Sequence, residues 1–192
     1  MKTTPELLIQ SIAHAFQHRK LPKSKSLFMS NSSEIDTQKM EQIAFETEWI
    51  NFPNDILLKN SEALNFMNPE AFAWLLPAYL ILSITLYSET DTLTGTIINC
   101  LTLPDDADAN EFESLTKEMY AQDPEFEETN FTGSLEADKE LLDFFYNRVT
   151  LFNKDEEIAI RNYLIYINEM YGKDFPVYGP KNALDRYWLK AY

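Results

Sequence analysis

The sequence predicts an all-α protein: a single-domain multi-helix bundle over residues 1–192, built around one buried, proline-bent central helix. Three observations predict it. Only four glycines occur in 192 residues, too few for the tight turns of a β-rich fold or for glycine-rich phosphate loops. A cap–proline–acid opening occurs twice, at Thr4-Pro5-Glu6 and at Asn68-Pro69-Glu70, and marks a helix start each time. From Ala71 to Ser88 there is no charge, so a helix there is apolar nearly all round and must be surrounded by protein or lipid.

In chain order, the first helix is expected from about Pro5 to Arg19, with Leu8, Ile12, Ala15 and Phe16 as its apolar stripe. His14 and His18 then share one face at i and i+4. That spacing suits two metal ligands, but no third ligand completes a known pattern. Lys20 to Ser33 is basic and serine-rich and reads as a loop. A helix follows from Glu34 to Trp49, with Met40, Ile43, Ala44 and Thr47 inward and Trp49 closing against the core. Short helical turns are expected from Pro53 to Leu58 and from Ser61 to Phe66.

The central helix opens at Asn68, whose side-chain oxygen can accept from a first-turn N–H. Pro69 sits where no intrahelical N–H is lost, and Glu70 lies at the positive end of the dipole. The apolar run is just long enough for a membrane span. Pro77 lies inside it, however, and the flanks are Glu70, Glu89 and Asp91 with no Lys/Arg cluster to set an orientation. A buried helix is therefore expected, bent where Pro77 crowds the Ala73 carbonyl. Trp49, Phe72, Trp74, Leu76, Pro77, Leu80 and Ile84 are the expected core.

Leu93, Ile97, Ile98 and Leu101 have helical spacing up to Pro104, although their β-branched neighbours also suit a strand. Ser134 to Phe152 is helical, with Leu135, Leu142, Phe145 and Val149 spaced for burial. Asn153 caps the next helix, and Glu156 can complete a capping box with it. That helix runs to Tyr171, with Gly172 as its stop. A last helix, Lys181 to Lys190, should dock Tyr187 and Trp188 on the body.

Charge carries the functional signal. The net charge is −15, which argues against nucleic acid or an anionic membrane as partner. Asp105 to Asp143 holds fourteen Asp/Glu against Lys117 and Lys139, a net −12. Three readings compete for this stretch. Asp106, Asp108 and Asn110 resemble the start of an EF-hand loop, but Glu111 and Lys117 break the pattern. A solvated face is the usual fate of a charge run. A docking surface for a basic protein is the third reading, with carboxylates steering association and aromatic residues anchoring it. Asp123, Glu125, Phe126, Glu127 and Glu128 form the tip expected to make that contact.

Phe66-Met67-Asn68-Pro69-Glu70-Ala71-Phe72 followed by Leu76-Pro77-Ala78-Tyr79 resembles a bacterial family classed as a domain of unknown function, whose signature is Phe-Leu-x-Pro-Glu-Ala-Phe and then Leu-Pro-Ala-Tyr. Trp49, the stretch Arg148 to Leu164 and Tyr187-Trp188 are similar too. Met67 stands where the family usually has Leu. The matching residues are apolar, so the resemblance implies a shared core and assigns no catalytic residue.

No nucleophile elbow, zinc-protease helix or phosphate loop is present. The single cysteine, Cys100, excludes an internal disulfide and any multi-cysteine zinc site. No signal-peptide pattern opens the chain, which favours the cytoplasm. The expectation is a non-catalytic protein-binding protein: an acidic immunity protein that neutralises a bacterial toxin, binding a basic toxin or effector, with no cofactor, metal, nucleic acid or membrane. An adaptor or structural protein, and an enzyme working through carboxylates alone, remain the alternatives.

Overall fold

The computed structural model describes residues 4–23, 26–29, 36–105, 135–175 and 178–190. Among these, helices dominate: α1 (Pro5–Phe16), α2 (Thr37–Glu46), α3 (Asn54–Lys59), α4 (Ala63–Phe66), α5 (Pro69–Thr85), α6 (Asp91–Cys100), α7 (Leu135–Val149), α8 (Lys154–Tyr171) and α9 (Pro180–Ala183), which runs into a π-turn at Leu184–Trp188.

The expected central helix is α5. Asn68 Oδ1 accepts from the Ala71 N–H at 2.9 Å, with Pro69 and Glu70 in the first turn. Pro77 lies within one continuous helix. Thirteen of its residues are buried, on every side of the axis, because α1, α6, α7 and the short turn Trp49–Asn51 all pack on it. All seven expected core residues are buried. No described helix is long and apolar enough to cross a membrane.

Enclosing a helical core this way creates a problem. Helix C-termini end inside the protein, and their last carbonyls have no intrahelical partner. Left unpaired, each such buried group costs about 1–3 kcal/mol. Here donors from distant side chains reach carbonyls at such ends, adding to local backbone bonds from the Arg19 N–H to Phe16 O and from the Ala63 N–H to Asn60 O. Trp49 Nε1 donates to Phe16 O at the end of α1, 3.2 Å. Tyr79 OH donates to Asn60 O beyond α3, 2.9 Å. Trp188 Nε1 donates to Leu101 O beyond α6, 2.7 Å. The large aromatic residues thus fill apolar volume and close helix ends with the same side chain.

Several boundaries differ from the sequence reading. The first helix stops at Phe16, so His18 lies beyond it and the two histidines do not share a helix face; both are exposed. The basic loop contributes an isolated antiparallel bridge, Phe28 to Met67, with Met29 N–H on Phe66 O and Asn68 N–H on Leu27 O. The second helix begins at Thr37 under an Asp36 cap and ends at Glu46. Gly172 does not adopt a left-handed stop. Its φ is −56° and the chain continues as a 3-10 turn to Asp174. The last helix opens at Pro180, as its proline leads one to expect, but its second half is the wider π-turn.

Candidate functional site

The tip residues Asp123, Glu125, Phe126, Glu127 and Glu128, and the EF-hand-like Asp106, Asp108 and Asn110, lie outside the described residues. The structure does describe how the acidic stretch leaves and re-enters the body. At the exit, Arg186 Nη1 donates to Leu103 O at 3.2 Å and Arg186 Nε lies 3.9 Å from Asp105 Oδ2. Trp188, two residues on, fixes Leu101. The C-terminal turn therefore holds the point where the acidic stretch begins. At the return, α7 buries Phe145, Arg148 and Val149, while Glu140 and Asp143 are exposed.

Arg148 is the group that sequence reasoning missed. It is only 1% exposed. Its Nη2 donates to Leu64 O and Met67 O, both at 2.8 Å, and to Asn65 O at 3.4 Å. These carbonyls belong to α4 and the residue that follows it. A four-residue helix satisfies almost none of its own carbonyls, and a cation at its C-terminal end also meets the negative end of the local dipole. The guanidinium carbon sits 4.4 Å from the Phe72 ring centroid and 3.7 Å from that of Phe144, a desolvated cation–π contact with each ring. Nε finds no hydrogen-bond partner. Burial pulls the guanidinium down to about 10, opposed by Cys100.

Cys100 lies beside it, half-buried, its Sγ donating to Asn65 Oδ1 at 3.2 Å. Asn65 Nδ2 donates to Glu62 Oε2 at 2.7 Å, and Thr96 Oγ1 to Glu62 Oε1 at 2.9 Å. Burial pushes the thiol up to about 11, against the pull of Arg148 and with a further push from Glu62. A thiol held protonated is a poor nucleophile. At pH 8, iodoacetamide is expected to alkylate Cys100 about 100-fold more slowly in the native protein than in urea, from the two-unit rise above the value of 9.0 in an unfolded chain. Mass spectrometry over time measures it, and equal rates would mean the thiol is not shielded. The same rise stabilises the fold below pH 9, and that contribution disappears as pH climbs through 11.

Glu156 is the second buried charge, 2% exposed. Arg19 grips it with two bonds of 2.6 Å, from Nε to Oε1 and from Nη2 to Oε2. Glu156 Oε2 also accepts from the Asn153 N–H at 2.8 Å, completing the expected capping box. Arg19 further donates to Leu151 O and lies over the Phe152 ring. Burial also raises the Tyr79 and Tyr163 hydroxyls above their ordinary value. Each is occupied in a core hydrogen bond, Tyr163 with Ser83 Oγ at 2.8 Å. Among the described residues no group of three or more His, Cys, Asp or Glu side chains is placed to hold a metal.

These features define the class: an all-α protein of strongly acidic charge in which a buried Arg148 and partly buried Arg19 and Arg186 tie helix ends together. The chain belongs to the family of unknown function DUF6714, whose model matches residues 4–122. That match takes in α1 and ends before α7, whereas the resemblance in sequence centres on α5. No curated protein and no solved structure matches the chain.

Proposed function

We propose that this chain is a non-catalytic protein-binding protein, an acidic immunity protein of the bacterial cytoplasm that binds and neutralises a basic toxin or effector. The observation that carries the reading is the distribution of charge. Arginines are engaged in internal contacts: Arg19 on Glu156, Arg148 on the α4 carbonyls, and Arg186 on Leu103 and Asp105. The carboxylates, in contrast, are concentrated in one stretch of net −12 whose exit the fold holds in place. A dense run of negative charge steers a basic partner and discriminates against acidic ones.

Two experiments test it. A gene for a basic toxin immediately upstream is the expected neighbour; co-expression with that toxin should restore growth, and failure to rescue ends the immunity reading. Reversing Asp123, Glu125, Glu127 and Glu128 together to Lys should leave the circular dichroism and thermal midpoint unchanged. It should weaken the partner's affinity at least about 100-fold at low salt, with a smaller loss at high salt. Unchanged affinity by calorimetry would remove the acidic tip as the contact.

A further inference from the structure

Residues at the C-terminal end of α8 and at the start of α9, among them Asn168, Glu169, Lys173, Phe175, Gly179 and Lys181, line a recess of about 580 Å³. That is within the size range of small-molecule sites. Its lining carries both signs of charge. Glu169 and the C-terminal end of the 18-residue α8 supply negative charge, since a helix C-terminus bears partial negative charge. Lys173 and Lys181 supply positive charge, and all three charged side chains are exposed. Lys181 already pairs with Asp185, while Lys173 makes no ion pair among the described residues. Asn168 and Asn182 add amides, and Phe175 supplies an aromatic surface.

One hydrogen bond and two close approaches order part of the chain that borders the recess. Asn182 Oδ1 accepts from the Gly179 N–H at 3.2 Å, which leaves its amide N–H groups for other partners. Gly179 passes so close to Phe175 that a Cβ there would meet the Phe175 Cβ at 2.8 Å. A Cβ on Gly172 would come within 3.2 Å of Asn168 Oδ1. Two of the protein's four glycines thus stand at this one recess.

We propose that the recess binds a small zwitterion of the α-amino-acid type. The ammonium group lies against Glu169 and the α8 carbonyls, the carboxylate is held by Lys173 and Lys181, and an apolar side chain rests on Phe175. A lining that balances both charges offers an isolated anion or an isolated cation only half of these contacts. This site uses no residue of the acidic stretch and stands or falls independently of the immunity reading.

Proton–nitrogen NMR of the full chain tests it, because only four glycines populate the glycine region. The probes are L-phenylalanine, N-acetylphenylalanine and phenylalanine amide at matched ionic strength. Phenylalanine should shift Gly172 and Gly179 saturably at millimolar concentration and leave Gly95, in α6, in place. The acetylated and amidated forms should each bind about tenfold more weakly, as should the amino acid to Glu169→Gln and to Lys173→Met, each variant first shown to keep its thermal midpoint. Absence of a saturable shift, or equal binding by all three probes, overturns the proposal.

Discussion

Replacing Arg148 by Met is expected to destabilise the protein by about 3–5 kcal/mol, enough to remove most of the stability of an ordinary domain. Methionine fills similar volume and lies between Phe72 and Phe144 without difficulty, so the loss does not come from a cavity. It comes from three carbonyls, Leu64 O, Asn65 O and Met67 O, that lose their donor. The cation–π contacts with both rings vanish as well. One effect works the other way: burying the guanidinium is costly, as its value near 10 records, and methionine escapes that cost. The carbonyls decide the sign, because the cost of leaving them unpaired exceeds the relief. Arg148→Lys separates the terms. An ammonium can serve one or two of the carbonyls but cannot lie flat between two rings, so about half the loss is expected. Urea unfolding with an unchanged slope measures both variants. A loss under about 1 kcal/mol for Arg148→Met would mean that water replaces the arginine at the end of α4.

Local signals in the chain predicted local structure well. Asn68-Pro69-Glu70 and the Asn153/Glu156 pair set their helix starts through atoms two to four residues apart, and both appear as read. The uncharged run of α5 required burial on all sides, and the fold supplies it. What escaped was long-range. The burial of Arg148 and the Arg19 partner of Glu156 left no direct sequence signal of their own, because the contacts span 81–84 and 137 residues. An indirect signal for Arg148 did exist: it is a lone cation four residues after Phe144 on the same helix face, among Phe144, Phe145 and Tyr146. The Phe28–Met67 bridge is a single pair with no periodicity to detect. Gly172 misled because a glycine after a helix usually turns left-handed. Here its N–H simply continues to Asn168 O and the chain tightens into a 3-10 turn. The acidic stretch was legible as composition alone, since charge density specifies attraction to a basic partner without specifying a geometry.

Arg19→Met is expected to cost about 3–4 kcal/mol, and changing Glu156 to Gln in the same chain is expected to recover at least about half of it. The reasoning turns on exposure. Arg19 is 22% exposed at its side chain and Glu156 only 2%, so removing the arginine strands a carboxylate that water barely reaches. Its remaining partner is the Asn153 N–H, one donor for a group that can accept about four bonds. Glutamine has the same shape, keeps an oxygen for Asn153 and carries no charge to desolvate. It therefore removes the penalty while preserving the cap that starts α8. Glu156→Gln alone should cost less, about 1–2 kcal/mol, because the charge left behind is Arg19, which can turn toward solvent. Glu156→Ala should exceed Glu156→Gln by about 1 kcal/mol, the value of the lost capping bond. The wild type, Arg19→Met, Glu156→Gln and their double variant form a double-mutant cycle read by urea unfolding. Recovery in the double variant would show that the pair acts chiefly by neutralising a buried charge. Additive losses would place its contribution in the hydrogen bonds and in the Arg19–Phe152 contact that join α1 to the start of α8.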